Sequence, residues 1–157
     1  TFRRQMPDAP FYAVYNVGHY TFQPWKVVWP EMSSKFYAAV VGSAAVPVVG
    51  VRPFVPDHKI YFSAFDEKEP AYFLCGLLNT SSVCEWIESH NVSIQVGDVF
   101  KHLTLPQFDG ENKSHALLAT LVEKAHETHE IQCRENVIKE ALVIADKVLE
   151  HWLNRAM

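Results

Sequence analysis

The stretch KIYFSAFDEKEPAYFLCGLL, residues 59–78, contains the change in pattern that decides the fold class. Its first part, Lys59–Phe65, is rich in Ile, Tyr and Phe, which is typical of a strand. Asp66 then offers a helix N-cap with Glu69 three residues later, and Pro70 fits a first helical turn. We therefore expect a strand up to residue 65 and a helix over residues 67–78.

Before this point the chain has the pattern of successive short strands. Segments rich in β-branched and aromatic residues recur at a spacing of roughly ten residues, separated by glycine or proline. The predicted strands are Phe11–Val17, Trp25–Trp29, Phe36–Val41, Val46–Val51 and Lys59–Phe65. This spacing predicts a small, twisted, mostly antiparallel sheet.

After this point helical patterns dominate. Ser82 and Glu85 repeat the capping pattern and predict a short helix over residues 82–90. Strand-like segments follow at Val92–Val96 and Leu103–Leu105. Two longer helices are then expected, one from about residue 113 to His129 and a second that contains an apolar stripe from Val137 to Trp152.

Strands that cluster first and helices that follow predict an α+β fold. Residues 1–112 would form a β-rich domain with short helices over 67–78 and 82–90. Residues 113–157 would form a helical extension that packs on this domain or on a partner, because the apolar stripe needs a surface to cover it.

The composition is that of an ordinary globular domain. Of 157 residues, 48% are hydrophobic and 20% are charged, which excludes wholesale disorder. No apolar run approaches the ~20 residues of a membrane span, and no secretion signal is visible. Three cysteines without C-x-x-C spacing fit a reducing cytosol, so we expect a cytoplasmic protein.

Charge is distributed unevenly along the chain. The net charge is −4, yet residues 1–60 contain six Lys and Arg against three acids, and the remainder contains eight against fifteen. This asymmetry is compatible with an N-terminal face that meets a polyanion, and equally with a solvated, acidic helical half.

The motifs of common enzyme classes are missing from the sequence. His126 and His129 are one residue too close for the H-E-x-x-H zinc motif, and no third ligand has a recognisable spacing. Cys75 and Cys84 lie among apolar residues of predicted helices, where inert buried thiols are common. Glycine-rich phosphate loops are also missing. We therefore expect no metal site, no catalytic residue and no enzymatic activity from this chain alone.

Cations lie beside aromatic residues in the first half of the chain. Trp25 precedes Lys26, Lys35 precedes two rings, and a polar segment contains His58 and Lys59. Such residues contact phosphates and base edges in nucleic-acid complexes. The alternative is a β-core whose aromatic residues face inward and whose lysines are only solvated.

The order of several segments resembles the target-recognition domains of restriction–modification systems. The segments are Trp25–Trp29, Val55–Phe62, Tyr72–Asn79, Ser82–Ile87, Val92–Gln95 and Leu103–Pro106, followed by a long helix. The resemblance covers about residues 10–130. It is strongest to the C-terminal specificity region of TaqI-like type II adenine-N6 DNA methyltransferases and methyltransferase–endonucleases, and more distant to type I specificity subunits.

The resemblance implies sequence-specific binding of double-stranded DNA, with an adenine placed for N6 methylation. The catalytic N-P-P-[YFW] motif and the cofactor loop of that family are missing here, so S-adenosylmethionine would belong to a catalytic domain outside this chain. The partner of this chain would be the methyltransferase or endonuclease domain of the same polypeptide or complex. Because the chain begins with Thr1, we expect it to be either a piece of a longer protein or a processed form.

The predicted DNA contacts combine cations and polar side chains in or beside turns. They are Lys26, Lys35, Arg52, His58, Lys59, Ser93, Gln95, Lys101 and His102. Two other functions stay open. One is a protein–protein assembly module that acts through the C-terminal helices, and the other is a small enzyme with a Cys/His site.

Overall fold

The computed structural model describes residues 17–90 and 99–156 of the chain. These ranges form two small antiparallel sheets and a layer of helices. In chain order the elements are α1 (His19–Phe22), β1 (Trp25–Pro30), β2 (Ala39–Val41), β3 (Ala44–Val46), β4 (Gly50–Arg52), β5 (Ile60–Phe65), α2 (Lys68–Leu78), α3 (Ser81–His90), a 3₁₀ helix (Val99–His102), α4 (Lys113–Glu127) and α5 (Ile131–Ala156).

The larger sheet has the strand order β2-β1-β5 and is antiparallel throughout. Along β1, Trp25 lies opposite Phe65 at one end and Pro30 opposite Ile60 at the other. Strand β2 pairs with the other side of β1, with Val28 opposite Ala39. Strands β3 and β4 pair with each other as a separate hairpin.

Helix α2 lies at the centre of the molecule. It contacts all three strands of the larger sheet as well as α3, α4 and α5. Most of its residues are buried, including Ala71, Phe73, Leu77 and Leu78. A helix that is apolar on nearly all sides needs cover on all sides, and this explains its position between the sheet and the other helices.

Helices α4 and α5 form an antiparallel pair that packs on α2. Asn112 caps α4, since its side chain accepts hydrogen bonds from the backbone N–H groups of Ser114 (2.9 Å) and His115 (3.4 Å). Along α5, the buried residues recur at helical spacing: Val137, Ala141, Ala145, Val148 and Leu149. These five residues of the apolar stripe are therefore covered by this chain's own helices.

The α+β prediction is confirmed, and two predicted strands need correction. The segment Val46–Val51 is not one strand: it contains the last residue of β3, the turn over residues 47–49 and the start of β4, because Pro47 interrupts a continuous strand. Leu103–Leu105 is irregular: these two leucines pack against the core without a partner strand among the described residues.

Other boundaries shift by a few residues. Within Phe36–Val41 only Ala39–Val41 is a strand, and the helix predicted to reach His129 ends at Glu127. The predicted strands Phe11–Val17, apart from its last residue, and Val92–Val96 lie outside the described residues. The domain boundary at residue 112 stays a prediction.

Across the described ranges, no helix combines the length and the apolar character that crossing a membrane requires.

Gly76 sets the close approach of α2 to α4. A Cβ atom at this position would lie 2.9 Å from Leu118 Cδ1 and 3.0 Å from Val122 Cγ2. Gly76→Leu should therefore lower the free energy of unfolding by about 2 kcal/mol through overpacking. Urea denaturation measures this, with Gly110→Ala as the control, because its Cβ would come only within 3.8 Å of Phe108 Cε1. Equal stability of both variants would contradict this packing.

His115 links stability to pH. Its ring lies 4.5 Å from that of Phe73, and its Nδ1 accepts a hydrogen bond from the backbone N–H of Asp109 at 3.1 Å. Burial lowers the pKa of His115, and the Asp109 carboxylate opposes this to a lesser degree. Since the folded state favours neutral His115, its contribution is complete above the unfolded pKa of about 6.5 and is lost as the pH falls through the lower folded-state pKa.

We therefore expect melting temperature to fall less steeply between pH 7.5 and pH 5 in His115→Gln than in the parent chain. Glutamine keeps an acceptor but does not titrate in this range. The matched control is His129→Gln, since His129 is exposed. If His115→Gln has the parent's pH dependence, the imidazole is not the titrating group.

Candidate nucleic-acid interface

Three of the segments that contain predicted DNA contacts meet at one end of the larger sheet. Because the strands are antiparallel, the carboxyl end of β1 lies beside the amino ends of β2 and β5. Residues 31–38 and 57–59 adjoin these strand ends. The 3₁₀ helix joins them, because Phe100 stacks on Trp29 at 4.5 Å and contacts Phe36 at 5.8 Å between ring centroids. We call residues 31–38, 57–59 and 99–102 the loop edge.

Lys59 is held at the loop edge by its backbone. Its carbonyl accepts from Glu31 N at 2.9 Å, and its N–H donates to Asp57 Oδ1 at 2.8 Å. The Lys59 side chain is 61% exposed, and its Nζ lies 3.1 Å from Glu31 Oε2. His58 beside it is exposed, with Nδ1 3.9 Å from Asp57 Oδ2. A cation and an imidazole thus face solvent from a fixed backbone.

Lys35 is presented by a serine turn. Ser33 Oγ donates to the Lys35 carbonyl at 2.5 Å and accepts from the Lys35 N–H at 3.3 Å. The Lys35 side chain is exposed. Its neighbour Phe36 points the other way and is buried. Successive side chains therefore point to opposite sides: Lys35 faces solvent, and Phe36 anchors the loop in the core.

The remaining predicted contacts of the loop edge are described in part. His102 is exposed on the 3₁₀ helix, and Lys101 belongs to the same helix. Ser93 and Gln95 lie outside the described residues. The structure thus brings Lys35, His58, Lys59 and His102 to one end of the sheet.

Two predicted contacts lie elsewhere. Lys26 is fully buried on β1; its Nζ donates to the Gln23 carbonyl at 2.6 Å and lies 5.8 Å from the centroid of the Phe62 ring. Burial lowers the pKa of Lys26. This ammonium is not available to a phosphate in the present conformation.

Arg52 belongs to the opposite end of the sheet. It lies across from Ala44 in the β3–β4 hairpin, whose base approaches the start of β1 through a 3.5 Å contact between Ser43 Oγ and the Pro24 carbonyl. Its guanidinium donates to the Val51 carbonyl at 2.8 Å. Arg52 is exposed but separate from the loop edge.

The loop edge is supported by three side chains to which the sequence analysis did not assign this role. The outer N–H groups of Phe36, Ala38 and Val40 do not pair with β1. The N–H of Phe36 donates to Glu88 Oε1 at 2.7 Å, and that of Ala38 donates to Asn79 Oδ1 at 3.0 Å. The N–H of Val40 donates to His126 Nε2 at 3.0 Å. The side-chain amide of Asn79 also donates a hydrogen bond to the Ala38 carbonyl at 2.9 Å. In the sequence, the signal that could have identified Asn79 was its position directly after the Leu77-Leu78 pair, at the end of a predicted helix.

The cysteines offer little nucleophilic character. Burial raises the pKa of Cys75 to about 12, and its Sγ donates to the Ala38 carbonyl at 3.5 Å. Burial also raises the pKa of Cys84, and the carboxylate of Glu130 raises that of Cys133. In the part of the chain that the structure describes, no group of three His, Cys, Asp or Glu side chains could hold a metal. The chemistry of the loop edge is that of binding through cations, imidazoles and hydroxyls.

Part of the chain is similar to a known methyltransferase. It is 28% identical over 82 residues to the "Type II methyltransferase M.NspV" of Nostoc sp. (strain ATCC 29411 / PCC 7524). The matched stretch covers 52% of this chain and 16% of that protein, so the chain corresponds to a small part of its relative. No protein-family model matches the chain, and no solved structure matches it.

The support of the loop edge by Glu88 is testable. Glu88→Ala should lower the free energy of unfolding by about 1–2 kcal/mol, because the half-buried N–H of Phe36 loses its acceptor. Glu88→Gln keeps an acceptor oxygen and should remain close to the parent. The control is Glu85→Ala at an exposed position of the same helix. Denaturant titration would refute the contact if Glu88→Ala and Glu85→Ala were equally stable.

Proposed function

We propose that this chain is a DNA target-recognition domain of a restriction–modification methyltransferase. It would bind double-stranded DNA in a sequence-specific way and place an adenine for N6 methylation by a catalytic domain outside this chain. The observation that carries the proposal is the gathering of Lys35, His58, Lys59 and His102 at one edge, in a chain that is similar in part to a type II methyltransferase.

The loop edge suits contact with phosphates. Lys35 and Lys59 extend from backbone segments that hydrogen bonds hold in place, which is what a positioning contact needs. Glu31 pairs with Lys59 at present. An exposed ion pair is worth about 0–1 kcal/mol, so the ammonium can exchange this carboxylate for a phosphate at small cost.

Base recognition would come from the polar side chains around these lysines. His58 and His102 are exposed and can donate or accept hydrogen bonds, as base edges in the major groove require. Ser93, Gln95 and Lys101 belong to the segment between α3 and the end of the 3₁₀ helix and stay in the proposed set. Lys26 is buried and Arg52 lies in the β3–β4 hairpin, so neither belongs to the loop edge.

The charge distribution supports an oriented approach. Residues 61–157 contain fifteen of the eighteen acids, and residues 1–60 contain more bases than acids. The acidic part repels a phosphate backbone, so a duplex is steered toward the loops of the first part. Because few cations take part, the affinity should be moderate and the slope of log affinity against log salt should be small.

Catalysis belongs to another domain in this proposal. The sequence has neither an N-P-P-[YFW] motif nor a glycine-rich cofactor loop. S-adenosylmethionine would bind to the methyltransferase domain, which is the partner of this chain in the same polypeptide or complex. This chain would contribute the choice of site and the orientation of the duplex.

One feature favours the alternative of an assembly module. A half-open cavity of about 500 Å³ lies between α2, α4 and α5, with walls that include Gly76, Val122, Ile138 and Leu142. A partner that inserted an apolar side chain there would use the C-terminal helices. This function does not need the lysines of the loop edge, which separates the two candidates experimentally.

The direct test is binding of the chain to a mixed-sequence duplex, measured by fluorescence anisotropy across a salt series. Lys35→Ala and Lys59→Ala should each weaken binding by about 3- to 10-fold at 0.1 M salt. Each should also reduce the slope of log affinity against log salt by about one.

The matched control is Lys139→Ala, since Lys139 is exposed on α5, away from the sheet. Ile138→Ser serves as the control for the cavity and should leave DNA binding unchanged. If the two loop-edge variants bind like Lys139→Ala, or if the duplex is not bound by the parent, the proposed function is wrong.

A further inference from the structure

The β3–β4 hairpin, residues 44–52, projects from the described part of the chain. All six of its strand residues are exposed, and its strands pair only with each other in the described sheets. Its side chains are nevertheless apolar: Val48, Val49 and Val51 are exposed, the last by 65%. A concentration of exposed valines on a projecting ribbon is typical of an interaction surface.

The tip of this hairpin is also strained. Val48 has a φ of 69°, in the left-handed region, and its relative exposure is 108%. A glycine or an asparagine takes up this conformation readily, whereas a β-branched residue rarely does. Gly50, two residues later, also has a positive φ of 84°. The hairpin thus has a strained apolar residue at a fully exposed tip, and strain of this kind is often found at functional sites.

The charge around the hairpin identifies the kind of partner. Residues 32–56 contain no Asp or Glu and two cations, Lys35 and Arg52, in a chain whose net charge is −4. A polyanion can therefore approach this segment without repulsion. A second copy of the chain would instead bring two hairpins of like charge together.

We propose that the 44–52 hairpin is a DNA wedge. Its tip, Pro47–Val49, inserts between stacked base pairs from a groove, and Arg52 neutralises a phosphate beside the entry point. A two-stranded ribbon can lie in the minor groove of DNA, and apolar side chains, proline included, unstack base steps from that groove. The inference rests on the proposed function and adds to it the element that deforms the duplex.

Arg52 is suited to this role in spite of its distance from the loop edge. Its guanidinium makes one hydrogen bond, to the adjacent Val51 carbonyl, and stays exposed at the base of the hairpin. The other donors of the guanidinium can face a phosphate. The hairpin therefore combines an apolar tip with a cation at its base.

The experiment uses plasmid unwinding, which does not require the recognised sequence to be known. Relaxation of a plasmid by a type I topoisomerase in the presence of the parent chain should leave a shifted linking number, because a wedge unwinds the duplex. Val48→Gly should reduce this shift by about fivefold or more while changing DNA affinity by less than about threefold. Val48→Asn is the second variant, since asparagine also accepts the left-handed turn but is polar.

Two controls accompany these variants. Val143→Ala changes an exposed valine of α5 and should keep the parent's unwinding. Thermal melting of Val48→Gly should equal or exceed that of the parent, because glycine removes the strain at the tip. Loss of unwinding with unchanged or higher stability is the result that supports a wedge.

Each other outcome overturns the inference. Binding that depends on Lys35 and Lys59 but causes no unwinding by the parent overturns the wedge and leaves the proposed function standing. Unwinding that persists in both Val48 variants does the same. A concentration-dependent dimer that Val48→Asn dissociates, seen by sedimentation velocity, assigns the hairpin to contacts between copies. No DNA binding by the parent overturns the wedge and the proposed function together.

Discussion

Side chains from three helices accept hydrogen bonds from the outer edge of β2 and the residues before it. An edge strand leaves every second N–H group without a partner, and a buried N–H without an acceptor costs about 1–3 kcal/mol. Here the N–H groups of Phe36, Ala38 and Val40 donate to side chains from α3, from the end of α2 and from α4. The sheet can therefore pack among helices at an edge that would otherwise need another strand.

The same contacts determine where the loop edge lies. Glu88 holds the segment that contains Lys35, and the stacking of Phe100 on Trp29 holds the 3₁₀ helix beside it. Loops supported in this way keep their side chains in a defined geometry, which recognition of a duplex requires. Within residues 17–90 and 99–156 the β3–β4 hairpin has no comparable support, and its exposed tip differs from the loop edge in chemistry as well as in position.

Local patterns predicted the parts of the fold that local chemistry determines. The apolar periodicity of α2, α3, α4 and α5 was visible in the sequence. The caps predicted for α2 and α3 were wrong: the N-cap of α2 is Glu67, without a side-chain hydrogen bond, in place of Asp66, and Ser82 lies inside α3. The partner of Asn79 was not visible in the sequence, because Ala38 lies 41 residues away and the contact depends on the packing of α2 against β2. The burial of Lys26 was missed for a similar reason. Strand alternation shows that it faces away from Val27, but not whether that side of the sheet is covered. The turn within residues 46–51, by contrast, could have been predicted from the sequence, because Pro47 interrupts a continuous strand.

The protonation of the cysteines has a consequence for the chemical durability of the protein. Thiolates, and not thiols, react with peroxides and disulfides. The pKa of Cys75 is raised to about 12, and the pKa values of Cys84 and Cys133 are also raised. At neutral pH the thiol form of each sulfur is therefore favoured over the thiolate, including Cys133 on the exposed surface of α5. Oxidants should therefore react slowly with the buried Cys75, whose Sγ donates to the Ala38 carbonyl.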